Sequence, residues 1–223
     1  MTEQELANVI WDIKEIIRNL YDDAEVEDVI LPFTLLRRLD CVLDGHRDEI
    51  MKVIEGIENE TQRKFKLKAE LKKHNLSFFN TSGLSLEKLL SAPGQMGDSF
   101  ETYLNGFTDN VKDILANFVR KPNSGEYVDL SDIYSRLNRH NKLFAVTQKF
   151  VQNADLHPDK VSNTMMGTVF EIVIRRSKEA SNTKGGQFYT PREIVRLLVK
   201  LTLCGQEAEL YKPGKIFSIY DPC

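Results

Sequence analysis

What this chain lacks narrows it before anything it contains. Its three cysteines, Cys41, Cys204 and Cys223, lie far apart without histidine neighbours, which excludes a disulfide framework and gives no zinc-binding spacing. The four histidines, His46, His74, His140 and His157, are scattered in the same way, so no metal site is expected. No Gly-x-Gly-x-x-Gly, P-loop, His-Glu-x-x-His or Gly-x-Ser-x-Gly motif occurs, which removes the usual dinucleotide, nucleotide, zinc-protease and serine-hydrolase signatures. Long apolar runs are missing too, so no membrane span is expected. The start, Met1-Thr2-Glu3-Gln4-Glu5, is acidic and the apolar residues behind it are periodic, unlike a secretion signal. The expected location is therefore the cytoplasm. An excess of basic charge is also absent: 30 Lys and Arg against 33 Asp and Glu leave a net charge of -3. That balance argues against a free-standing nucleic-acid binder, so contact with DNA must come from local patches or partners.

What is present is a chain of 223 residues, 41% hydrophobic and 28% charged, long enough for one or two soluble domains with a sizeable core. Its dominant pattern is helical. Thr2 with Glu5 forms a capping box, and Leu6, Val9, Ile10, Ile13, Ile17 and Leu20 recur at i, i+3 and i+4, which predicts one amphipathic helix with Trp11 packed beside its stripe. Around Pro32, which should start or kink a helix, Phe33, Leu36, Leu39, Cys41, Val42 and Leu43 are too apolar for a surface helix and predict a core one. Arg37 and Arg38 beside that leucine face read as a solvated edge. A further helix runs through Ile50, Met51, Val53, Ile54 and Ile57. Phe78 and Phe79 among small polar residues read as a loop, Ser85 caps a short helix, and Pro93-Gly94 ends it. Phe100, Tyr103, Leu104, Phe107, Val111, Ile114, Leu115 and Phe118 then predict one long core helix, broken at Pro122-Asn123-Ser124-Gly125. Two shorter helices and a long one through Met165, Val169, Phe170 and Val173 complete the pattern.

The most basic stretch is Arg63, Lys64, Lys66, Lys68, Lys72 and Lys73, opposed by Glu70 and interleaved with Phe65, Leu67 and Leu71. Two readings stay open for it: an ordinary solvated helix face, or a surface that adds salt-dependent affinity for DNA phosphates.

Near the end, Gly185-Gly186-Gln187-Phe188-Tyr189-Thr190-Pro191-Arg192-Glu193 is a glycine-loosened loop running into a helix start. Thr190 suits the N-cap, Pro191 the first helical position, and Glu193 the reciprocal capping carboxylate. Ile194, Val195, Leu197, Leu198 and Leu201 then give an apolar face expected to pack. The free backbone N-H groups of such a start suit a carboxylate or phosphate, although a well-capped structural helix has the same pattern. Ser181 to Gly186 has no apolar anchor and is expected to be mobile without ligand. Lys215 to Tyr220 reads as a short buried strand leading into Asp221-Pro222.

Gln-Phe-Tyr-Thr-Pro-Arg, an amphipathic helix, and a strand running into Asp-Pro resemble the entrance to the catalytic domain of adenine-N6 DNA methyltransferases. More narrowly, the chain resembles the modification subunit of type I restriction-modification systems. Pro-Phe-x-x-Leu-Arg-Arg-Leu-Asp at Pro32 to Asp40, and Met166-Gly167-Thr168-Val169-Phe170-Glu171 with Arg175-Arg176, match that family as well. The resemblance implies a mainly α fold. A helical N-terminal domain would occupy residues 1–160, and residues 161–223 would form the first helix and strand of a truncated Rossmann-like methyltransferase domain.

By the same resemblance, Gln187, Phe188, Tyr189, Thr190, Pro191 and Arg192 contribute contacts to S-adenosyl-L-methionine, and Asp221 and Pro222 lead into a further cofactor loop. DNA, a specificity subunit and a restriction subunit are the implied partners. The family's Asn-Pro-Pro-Tyr/Phe segment, which holds the flipped adenine, does not occur, so these 223 residues alone are expected to be inactive. A single strand cannot make a sheet, which leaves residues 216–220 loosely ordered, packed on helices or paired with another copy. The competing account is a non-catalytic helical adaptor that holds a partner protein.

Overall fold

The computed structural model describes residues 2–23, 25–116, 119–120, 127–128, 130–180, 190, 192–210, 212, 218 and 220. They divide into two compact units, Met1–Thr183 and Lys184–Cys223.

In the first unit, α1 (Glu3–Trp11) opens on the expected capping box: Glu5 N-H donates to Thr2 Oγ1 at 3.2 Å and Thr2 N-H to Glu5 Oε2 at 2.8 Å. The stripe expected to form one helix continues, but the helix does not. A turn at Asp12 and Ile13 separates α1 from α2 (Lys14–Ile17), while Leu6, Ile10, Ile13 and Ile17 all stay buried. Burial preserves the stripe's direction even where the hydrogen-bond ladder breaks.

Helix α3 (Val26–Leu43) begins before Pro32 and carries it inside. Val26, Val29 and Ile30 are fully buried and fix the turn that precedes the proline, whose missing N-H forfeits a single ladder bond. Phe33 from this helix meets Phe100 of α7 (Met96–Asn105) and Phe150 of α10 (Leu143–Asn153), at centroid separations of 5.6 and 5.8 Å. Phe100 also meets Tyr134 of α9 (Leu130–Arg139) at 5.4 Å. Aromatic area thus joins four helices in one core.

The aromatic stripe from Phe100 is likewise split, into α7 and α8 (Asp109–Ala116). Its break is at Gly106, where an added Cβ would lie 2.3 Å from Asn80 Oδ1 and 2.6 Å from Ser82 Cβ. The loop carrying Phe79 and Asn80, both fully buried, presses on that point, and Thr81 N-H donates to Gly106 C=O at 2.7 Å. A hairpin of α4 (Arg47–Ile54) and α5 (Glu60–Lys73) packs alongside, and α6 (Leu86–Leu89) starts from its Ser85 cap as expected. A two-residue antiparallel pairing, β1 (Val119–Arg120) with β2 (Tyr127–Val128), flanks the expected proline-glycine turn, which lies outside the described residues.

Helix α11 (Asn163–Ala180) returns to α1, and Met166, Val169, Ile172 and Val173 are buried opposite Leu6, Ala7 and Ile10. Arg176 Nη2 donates to Asn8 Oδ1 at 2.5 Å, and Lys178 Nζ pairs with Glu27 Oε1 at 2.6 Å. These partners, besides the helix dipole, account for the basic exit of α11.

The second unit holds α12 (Arg192–Leu203) and α13 (Glu207–Leu210). The apolar face of α12 was expected to pack. Instead Ile194, Val195, Leu197, Leu198 and Leu201 are between 43% and 64% exposed. The periodic pattern suffices to form the helix, whereas burial needs an opposing apolar layer, and no described residue supplies one. Of the expected strand Lys215–Tyr220, Ser218 and Tyr220 lie in neither helix nor strand, and the other four positions are outside the described residues. Mainly helical architecture is therefore what the structure shows.

Candidate functional site

Most of the expected cofactor loop, namely Gln187, Phe188, Tyr189 and Pro191 together with Asp221 and Pro222, lies outside the described residues, as does the glycine segment Ser181 to Gly186. Thr190 is described and exposed, and α12 opens at Arg192. A helix of 12 residues thus begins two positions after a solvent-facing threonine, with Glu193 in its first turn. Free N-H groups at such a start form an electropositive donor set that suits a carboxylate.

The whole basic stretch lies within the described residues. At about 100° per residue, Lys64, Lys68 and Lys72 fall on one side of the Leu67–Leu71 stripe of α5, and Lys66 and Lys73 on the other. The fold therefore does not bring the six cations to one face. Arg63, Lys64 and Lys68 border a cleft of about 370 Å³ against α8, where Lys112 joins them and Glu60 and Asp109 oppose them. Lys64 pairs with Glu60 at 2.8 Å, and Lys73 pairs with Glu49 at 2.9 Å and Glu70 at 3.3 Å. Part of the charge available to phosphates is thus answered within the chain, and what remains is a modest positive charge spread over both sides of α5.

The arginine pair of α3 overturns the solvated-edge expectation. Arg37 donates from Nε to Ala154 C=O at 2.9 Å and from Nη2 to Val151 C=O at 3.4 Å. Arg38 donates from Nη1 to the carbonyls of Leu156 at 2.6 Å and Val161 at 2.8 Å, and from Nη2 to Asn163 Oδ1 at 3.0 Å. These carbonyls belong to the last turn of α10 and to the connection leading into α11. The end of a helix leaves such acceptors unsatisfied and carries the negative end of its dipole, so two guanidinium groups are well matched to it. Sequence reasoning missed this because the acceptors are backbone atoms more than 110 residues away.

Two residues further on, Asp40 is a buried hub. Its Oδ1 accepts from Arg47 Nη2 at 2.9 Å and from Tyr103 O-H at 3.0 Å, and its Oδ2 accepts from Leu86 N-H at 2.5 Å. Arg47 Nη1 also donates to Leu84 C=O at 2.7 Å. Burial pushes the Asp40 carboxyl above the ordinary range, against the pull of Arg47 and the other donors. Burial and the adjacent Asp40 raise Tyr103 well above a usual phenol. With three donors in place, this carboxylate ties α3, α4, α6 and α7 together.

Two family models match consecutive parts of the chain. Residues 6–150 match the family described as HsdM N-terminal domain, and residues 161–223 match N-6 DNA Methylase. The Type I restriction enzyme MjaIX methylase subunit of Methanocaldococcus jannaschii is 25% identical over 218 residues, covering 87% of this chain and 35% of that protein. The chain thus spans little more than a third of the length of this curated relative. No solved structure matches the chain.

Proposed function

The chain belongs to the HsdM N-terminal domain family, and from that premise we propose that it is the front part of a type I restriction-modification methyltransferase subunit. The whole subunit transfers a methyl group from S-adenosylmethionine to adenine N6 in DNA. A separate specificity subunit selects the site and a restriction subunit cleaves. The observation that carries this reading is the tandem order of the two family matches, separated by residues 151–160, together with a relative of that name aligned across 87% of the chain. Those separating residues run from the last turn of α10 into the connection that Arg37 and Arg38 grip.

In this reading residues 161–223 begin a Rossmann-like domain. The apolar face of α12 is then the side that a sheet covers, which is consistent with its exposure here. S-adenosylmethionine supplies an electrophilic methyl on its sulfonium centre. The chain's own part would be binding: the amides at the start of α12 would hold the methionine carboxylate, and Gln187, Phe188, Tyr189, Thr190, Pro191 and Arg192, with Asp221 and Pro222, would contribute the remaining cofactor contacts. Arg63, Lys64, Lys66, Lys68, Lys72 and Lys73 add at most a weak, salt-dependent contact to DNA. Without an Asn-Pro-Pro-Tyr/Phe segment, these 223 residues do not methylate on their own.

The test is made in the full-length subunit assembled with its specificity subunit. Tyr189→Ala and Thr190→Gly are expected to lower S-adenosylmethionine affinity, read by calorimetry, and methyl transfer to DNA together, each by tenfold or more. Methylation that survived both changes would remove the site assignment. Partner binding retained without any cofactor affinity in the unaltered subunit would favour the adaptor.

A further inference from the structure

We propose that Glu49, Glu70 and His74 form a zinc-binding site that clasps the α4–α5 hairpin. It is independent of the methyltransferase reading. His74 follows the last turn of α5 and its side chain is only 12% exposed. Its Nε2 is buried and makes no hydrogen bond, and its nearest neighbours are two carboxylates at ion-pair rather than hydrogen-bond distance. That nitrogen stands 3.5 Å from Glu49 Oε1 and 3.6 Å from Glu70 Oε2, and one donor atom from each of the three residues lies within 4.8 Å of the others. Tetrahedral zinc ligands at about 2.0–2.1 Å from the metal stand roughly 3.4 Å from one another, so the two imidazole–carboxylate separations are already close to that spacing, and the two carboxylates, within 4.8 Å, would close on the ion.

The donor chemistry chooses the ion. One imidazole nitrogen with two carboxylate oxygens suits zinc, whereas magnesium and calcium take oxygen-only shells. Two carboxylates also neutralise a divalent charge, and Glu49, half exposed, leaves a path for the ion and a water in the fourth position. Lys73 offers the competing explanation, because its ammonium pairs with both carboxylates. It answers Glu49 and Glu70 but gives the imidazole nitrogen no hydrogen bond. At 57% exposure it is free to swing into solvent when a metal enters. The His46 ring, 4.9 Å from that of His74, walls the site. Glu70 and His74 are one helical turn apart. The pair alone is too common to signal a site, and the fold supplies the third ligand.

The experiment is calorimetric titration of the metal-stripped 223-residue chain with Zn²⁺, followed by Co²⁺ absorption. Saturable one-to-one binding is expected, weakened at least tenfold by His74→Gln and by Glu70→Gln. Lys73→Met, which removes the competing ammonium, is expected to tighten it several-fold. Cobalt should give visible d–d bands without thiolate charge transfer. Absence of one-to-one binding, retention of full affinity in His74→Gln, weakening by Lys73→Met, or a thiolate band pointing to a cysteine would each overturn the assignment. Because Lys73→Met tests the site by gain of affinity, misfolding of a ligand variant leaves the outcome decisive.

Discussion

Arg38, in the second half of α3, donates to the backbone carbonyl of Val161 at 2.8 Å across a sequence separation of 123 residues. Val161 is also where the match to N-6 DNA Methylase begins. An arginine of the N-terminal helical body therefore holds the first residue of the methylase-like segment by its main chain. With a second carbonyl and a side-chain amide on the same guanidinium, the planar fork fixes the path into α11 in a way that a point charge does not.

Arg38→Ala is expected to cost about 1.5–3 kcal/mol, the usual worth of charged hydrogen bonds to buried acceptors. The sharper readout is amide hydrogen exchange in residues 154–163, which should accelerate by more than tenfold. Arg38→Lys should recover only part of the protection. Exchange unchanged in both variants would mean that the connection is held by packing alone.

Asp40 and Arg47 should behave as a buried pair. Arg47→Met leaves the carboxylate desolvated and is expected to cost about 3–5 kcal/mol in urea denaturation, whereas the double change Asp40→Leu with Arg47→Met should cost clearly less than the two singles summed. Tyr103→Phe, which removes one donor and preserves the ring's packing, should cost about 1–2 kcal/mol. Additive effects would show that the two charges do not act together.

Asp28, in the first turn of α3, has its carboxyl pushed up to about 6, chiefly by burial and then by the neighbouring Glu27 charge. Because the folded value lies above the unfolded one, protonated Asp28 favours the fold. That contribution is complete below pH of about 4 and is lost as pH rises through about 6. Asp28→Asn should therefore gain on the wild type between pH of about 4 and 7. The gain should be about 1 kcal/mol, scaled down for the group's partial exposure, or a few degrees in Tm. A thermal-melting difference that stays flat over this range would dismiss the effect.

The uncovered face of α12 should make the 223-residue chain associate. Sedimentation velocity across a concentration series should show self-association that Leu198→Glu with Leu201→Glu abolishes, because contiguous exposed apolar surface favours contact between copies. A wild type that stays monomeric at every concentration would show that this face is protected in solution.

Local rules already contained much of the fold. Capping at Thr2 and Ser85, the helical character of nearly every described segment and the identity of core residues such as Phe33 and Phe100 follow from hydrogen-bonding chemistry and apolar spacing within a few positions of each residue. The motifs around Pro32, Met166 and Gln187 pointed to the family for the same reason: each is a contiguous string. Features that depend on distant partners were not legible. The break at Gly106 requires the Asn80 loop to arrive against it, and the role of Arg37 and Arg38 requires carbonyls from the end of α10. The grouping of His74 with Glu49 requires the α4–α5 hairpin to close, and the open face of α12 depends on what lies opposite it. Periodicity states which residues seek burial and which atoms need partners. Only the tertiary arrangement decides who supplies them, since the free energy of a buried hydrogen bond or ion pair depends on groups that the local sequence does not contain.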